Sequence, residues 1–263
     1  MKMILSTIVG SRLHGTHNED SDYDYRGVFI APLSDILSPF KDPKDTHWVE
    51  DAHLQSTVTI KSDAKLDTLE GTDFYNGSVV DGKALQMTTN KMDDTAYELR
   101  KFCKMAAQGN PTVLEVLVGE EYPILTEEGK GLRGLLPCFF SRKCYFAFSG
   151  YAHNQEKKFR ECGKVFESKG SQAKDRKWKY ASAHVRTLYQ LRHLLKEKEL
   201  IGKYPQAIAD ELKGIKEGRW LQSDIMGRIF QLEEECQSLF EDTWLPKDPD
   251  IEKIEQFLIS CYV

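Results

Sequence analysis

The chain has 263 residues, of which 40% are hydrophobic and 29% charged, with a formal net charge of -5. That length can bury one large core or two modest ones, and an overall negative charge argues against a generic polyanion binder. No apolar run approaches the ~20 residues of a membrane span, and the polar start after Met1–Leu5 does not read as a secretory signal, so a cytoplasmic protein with no membrane partner is expected.

The first thirty residues read as strand, loop, strand. Ile4–Val9 is a β-favouring run ended by Gly10, a loop rich in Gly, Asn, Asp and Ser follows to Ser21, and Tyr23–Ile30 resumes strand character until Pro32. Residues 38–80 are polar and weakly patterned, an insertion with one strand near Thr57–Ile60, and Ala84–Thr89 has weak strand propensity. From Thr95 the apolar residues Tyr97, Leu99, Phe102, Met105 and Ala106 predict a helix, broken at Gly109-Asn110-Pro111. Val113–Val118 is ambiguous between helix and strand. Beyond Pro137 the pattern is helical: Arg142–Glu161, Ala173–Leu200, Pro205–Gly214, Leu221–Thr243 and Asp248–Ser260, with Gly163–Gly170 linking the first two. The expected fold is α+β in front, residues 1–136, and an all-helical domain behind, residues 137–263.

Charge is unevenly spread. Arg142–Lys203 holds sixteen Lys and Arg against six Asp and Glu, about +10 in an acidic protein. Such a segment suits phosphates, RNA among them, although solvated helix faces give the same count. Six scattered cysteines lack the spacing of a zinc site or disulfide framework and predict reduced thiols.

The loop from Gly10 to Gly27 is the most informative segment. On a strand, residues two apart face one side with Cα atoms about 6.5–7 Å apart, so Asp22 and Asp24 aim two carboxylates at one volume. Divalent cations relieve their repulsion, and two such ions, Mg²⁺ or Mn²⁺, suit an in-line phosphoryl displacement. Upstream, Gly10 lets the backbone turn tightly, Ser11 offers a hydroxyl and an N–H to a triphosphate, and Arg12 adds charge. Ser21 stands just before the acids. Asx-turns explain many isolated residues of this kind, and a calcium loop beginning at Asp20 needs a Glu where Ala31 stands. The joint arrangement favours a nucleotidyl-transfer site.

Gly10-Ser11 followed by Asp22-x-Asp24 resembles the signature of polymerase beta-type nucleotidyltransferases. The longer string, through Arg12 and Gly15 to Arg26-Gly27-Val28-Phe29, is similar to the branch called RNA-ligase-associated polymerase beta. Glu98–Phe102, Gly109–Glu115, Ser149–Ala152 and His184-x-Arg186 extend the likeness over most of the chain outside 38–80. The resemblance implies a mixed sheet carrying Gly-Ser and three acidic metal ligands, followed by helices, and a nucleoside triphosphate as co-substrate. It places the third acid on a neighbouring strand, where Asp93 is preferred over Asp94. Either residue equally suits an N-cap of the helix expected from Thr95.

Lys179, His184 and Arg186 lie on the basic helix without sharing one narrow face, and are candidate phosphate or base contacts. Tyr151 and Asn154 are candidates for the same groove. Glu115, after Asn110-Pro111, reads mainly as part of a structural turn, and His14 and His17 lie near the triphosphate by position alone. The acceptor expected is a hydroxyl on RNA or tRNA ends, with a protein hydroxyl as the alternative and a non-catalytic nucleotide sensor as a third reading.

Overall fold

A computed structural model of the chain describes residues 1–19, 21–41, 46–50, 57–60, 95–169 and 171–263. Asp93, Asp94, the Ala84–Thr89 segment and most of the 38–80 insertion lie outside the described residues.

In chain order, the front of the molecule has β1 (Lys2–Val9), the single turn α1 (Gly10–Leu13), β2 (Asp24–Ile30), α2 (Leu33–Leu37), β3 (Thr46–Glu50), β4 (Thr57–Ile60) and β5 (Thr95–Glu98). It continues with α3 (Leu99–Ala107), α4 (Pro111–Leu114), a 3₁₀ turn at Glu115–Val118, β6 (Ile124–Leu125), α5 (Glu127–Gly134) and α6 (Leu136–Phe139). The described strands form one mixed sheet in the order β4-β3-β5-β2-β1-β6, in which only the β2–β5 pair is parallel. Behind it come α7 (Arg142–Lys169), α8 (Ser171–Glu197), α9 (Gln206–Lys216), α10 (Gln222–Glu241) and α11 (Ile251–Tyr262).

The structure corrects two local expectations. The helix expected from Thr95 begins only at Leu99, because Thr95–Glu98 pairs with β2 on one side and β3 on the other. Ala96 and Glu98 are buried while Thr95 and Tyr97 are half-buried, the two-residue period of a strand. The buried Glu98 carboxylate caps the helix by accepting from the Arg100 and Lys101 backbone N–H groups at 3.1 and 3.2 Å. The link expected at Gly163–Gly170 is helical through Lys169. An internal glycine costs a helix only about 1 kcal/mol relative to alanine, which the pairing of α7 with α8 outweighs.

The largest core joins sheet and helices. Ile4 and Leu5 of β1, Val28 of β2, Leu99 and Phe102 of α3, Phe148 of α7, Leu191 and Leu194 of α8 and Ile254 of α11 all belong to it. A second core holds Ala152 and Phe159 of α7, Val185 and Leu188 of α8, Leu212 and Ile215 of α9 and Leu232 of α10. The apolar stripe of α8 therefore serves both cores. At the end of α3, Gly109 has φ +75° and a Cβ there would stand 2.6 Å from Cys144 Cα, so this glycine lets α7 pass close to the turn. All six cysteines are free thiols, and no described helix is long and apolar enough to cross a membrane.

Candidate active site

The antiparallel register of the first two strands places Val9 opposite Asp24. The end of β1 and the beginning of β2 therefore meet at one end of the sheet, and the Gly10-Ser11 turn faces the Asp24 side chain. Gly10 has φ +67°, and a Cβ built on it would lie 2.5 Å from Asp24 Oδ2. Only glycine satisfies both the left-handed backbone and this approach. The turn closes with His14 N–H donating to Gly10 O and Thr16 N–H to Ser11 O.

A cavity of about 280 Å³ opens beside this turn. Gly10, Ser11, His14 and Thr16 line it from the loop, Asp24 and Arg26 from β2, and Thr112 and Glu115 from the segment after α3. The helical half adds Tyr151 of α7, Lys179, Ser182, Ala183 and Arg186 of α8, and Lys216 of α9. Positions 179, 182, 183 and 186 follow the helical repeat and share one face of α8.

The floor of the cavity is a buried ionic cluster. Arg186 Nη1 donates to Glu115 Oε1 and to His14 Nε2, the latter at 2.7 Å, while His14 Nδ1 is 2.9 Å from the Gly202 carbonyl. That carbonyl can only accept, so Nδ1 carries the proton and Nε2 accepts from the guanidinium, which makes the imidazole neutral. Burial, reinforced by the Arg186 charge, lowers the His14 pKa to about 4. Burial alone would raise Glu115, but Arg186, His14 and Arg26 together bring it down to about 2. Nearby, Arg26 Nη1 donates to Thr112 O at 2.9 Å, and Asn110 caps α4 by accepting from Thr112 N–H at 3.1 Å. Burial and the adjacent Lys179 charge hold the Lys216 ammonium below its usual range. Arg26, Lys179, Arg186 and Lys216 thus face Asp24 and Glu115, a surplus of positive charge suited to an anionic ligand.

The residues singled out in the sequence divide into two groups. Gly10, Ser11, Asp24, Lys179 and Arg186 come together in the cavity, as does Tyr151. Asp22 precedes β2, is exposed and does not line the cavity, because pairing with β1 begins only at Asp24. Ser21 closes its own turn, its hydroxyl accepting from Asn18 N–H at 2.9 Å and donating to Asn18 Oδ1 at 2.6 Å. Arg12 turns toward Ser21–Tyr23 instead of the cavity. His184 is buried on another side of α8, two residues or about 200° from both Ser182 and Arg186. Its Nε2 lies 3.7 Å from Glu233 of α10, and burial lowers its pKa to about 4. It is a buried helical histidine that does not line the cavity. Asn154 is exposed and also lies outside the lining.

The cavity also takes in Ser182 and Lys216, which no motif marks, Arg26 and Thr112, which stand in the likeness strings without a role, and Glu115, expected in a structural turn. Arg26 was accessible to the two-residue rule, applied forward from Asp24 rather than backward. Thr112 lies within the Gly109–Glu115 string of the likeness, whereas Lys216 carries no local signal, since tertiary packing alone brings α9 to this end of the sheet.

The chain belongs to the RNA repair pathway DNA polymerase beta family, which it matches over residues 1–59 and 79–259. The family's description defines the general class, a polymerase beta type placed in an RNA repair pathway. Over 117 residues the chain is 26% identical to an uncharacterized 38.9 kDa protein in the nrdC-mobD intergenic region of Enterobacteria phage T4. The match takes in 44% of this chain and about a quarter, 26%, of that relative. No solved structure matches the chain.

Proposed function

We propose that the protein is a divalent-metal-dependent nucleotidyltransferase that moves a nucleoside monophosphate from a nucleoside triphosphate to a hydroxyl on an RNA end. One observation carries this reading: the Asp24 carboxylate stands against the Gly10-Ser11 turn at the edge of a cavity that also holds four cationic side chains.

The space that a Cβ on Gly10 would fill is taken by Asp24 Oδ2, which leaves a carboxylate beside a tight turn. A carboxylate there is donor chemistry for hard ions such as Mg²⁺ or Mn²⁺, which bind through one or two carboxylates together with substrate phosphates, and Asp22, exposed just before β2, is kept as the second donor from its place in the sequence. Among the described residues no group of three His, Cys, Asp or Glu side chains is assembled. The third acid, Asp93 with Asp94 as its alternate, is proposed from its place in the sequence. Two such ions, held by Asp22, Asp24 and the third acid, would neutralise charge on the attacking and leaving oxygens.

The protein's own groups do the rest. Ser11 and the backbone of its turn hold the β- and γ-phosphates, with Lys179, Arg186 and Lys216 offsetting their charge. Tyr151 bounds the side toward α7. The acceptor oxygen bonds to the α-phosphorus, the bond from that phosphorus to the bridging oxygen breaks, and pyrophosphate departs. The hydroxyl proton passes to a carboxylate oxygen of Asp24. Positioning and charge stabilisation account for most of the acceleration.

The family's RNA-repair description and the basic Arg142–Lys203 segment favour RNA over protein as the acceptor. Triphosphates labelled at the α-phosphate, offered to total RNA and to a protein mixture, test this choice. Label is expected in RNA; label in protein alone transfers the same chemistry to a protein hydroxyl and overturns the RNA assignment.

A further inference from the structure

Arg12 lies in the single turn α1, two residues after Gly10, yet its guanidinium does not line the cavity. Its Nη2–H donates to the Ser21 carbonyl at 2.8 Å, and its Nε–H to the Asp22 carbonyl at 3.3 Å. The same guanidinium lies 3.5 Å from the centroid of the Tyr23 ring, which stacks in turn on Tyr25 at 6.4 Å. Three consecutive residues, Ser21, Asp22 and Tyr23, are thus held by one side chain. They are the residues that lead into Asp24. From the other side, Ser21 is fixed by its reciprocal bonds to Asn18.

We propose that Arg12 is a positioning residue that ties the Gly10-Ser11 turn to the segment carrying Asp22 and Asp24, and is not a ligand of the phosphates. The assignment rests on the nucleotidyl-transfer reading only for its consequence, metal binding by the two acids. The tether itself stands on the contacts. A planar fork suits this task, since it reaches two successive carbonyls while its face covers an aromatic ring. A lysine has one compact ammonium and cannot do all three. Side chains that orient metal ligands typically change metal affinity ~10–100-fold when replaced.

Three measurements on Arg12→Lys and Tyr23→Leu in the full chain test the proposal. Without metal, amide exchange of residues 21–25 is expected to rise about 10-fold in Arg12→Lys, and less in Tyr23→Leu, which removes only the stacking partner. Binding of Mn²⁺ alone, followed by loss of its free-ion resonance signal, is expected to weaken by about 10-fold or more in Arg12→Lys. Binding of inorganic tripolyphosphate without metal is expected to stay within about twofold. Unchanged exchange in Arg12→Lys overturns the tether. A ~10-fold loss of tripolyphosphate affinity with Mn²⁺ binding intact overturns it too, because Arg12 is then a phosphate ligand. If the wild type takes up no Mn²⁺ while the exchange contrast persists, the tether stands and the metal-dependent function falls.

Discussion

Gly10 and Asp24 share a space that admits no additional carbon. Gly10→Ala puts a methyl group 2.5 Å from Asp24 Oδ2 and requires an L residue at φ +67°. The backbone term alone costs about 1–2 kcal/mol. The carboxylate must also swing away, so the expected result is a small loss of thermal stability with a much larger loss of turnover. Parallel melting and turnover measurements check this, and a variant that melts earlier but turns over normally contradicts the role given to the approach. This pair was partly legible in the sequence: Gly10 as a tight turn and Asp24 as an inward acid follow from residue type and strand period. The companion role of Asp22 did not follow so simply. Its two-residue spacing assumed a strand that already includes it, whereas β2 begins at Asp24.

Elements that are far apart in sequence converge on the His14–Glu115–Arg186 cluster, which joins the loop after α1, the 3₁₀ turn and α8. Its protonation links pH to stability. The folded pKa of His14, about 4, lies below the ordinary histidine value of 6.5, so the unfolded chain binds the proton more readily and stability falls as pH drops through that interval. Glu115, at about 2 against 4.5, contributes stability present above 4.5 and lost as pH falls toward 2. Protonation of His14 accounts for up to about 3 kcal/mol of that loss. Urea midpoints measured from pH 7 to pH 4 should decline, and His14→Gln, whose amide can both accept and donate, should flatten that decline. An equally steep decline in the variant removes the cluster from the account. The elements that build it were unevenly readable. The long helices and the Asn110-Pro111 break follow from period and cap residues, but the apolar spacing over Tyr97–Ala106, which suits α3, predicts helix across β5 as well. Pairing with strands distant in sequence decides those four residues, and local pattern does not carry it.

At the scale of the whole molecule, the sheet and the helices act together because the cavity takes its wall from both. The front supplies the turn and the acid, and α8 and α9 supply Lys179, Arg186 and Lys216. The large core likewise runs from β1 to α11. The basic Arg142–Lys203 segment, read directly from the sequence, is the part of the chain proposed to hold an RNA acceptor. Binding to single-stranded RNA is therefore expected to weaken with salt, log K falling with log salt by about 0.7 for each phosphate contacted. Titration of a labelled RNA over a salt series checks this, and salt-insensitive binding contradicts an RNA acceptor held by these helices. The most direct test of the central claim is pyrophosphate release from each of the four nucleoside triphosphates with Mg²⁺ or Mn²⁺, in the presence of RNA. At least one triphosphate should release pyrophosphate with the wild type and none with a folded Asp24→Asn variant; release that survives this substitution, or a wild type silent with all four, contradicts the account.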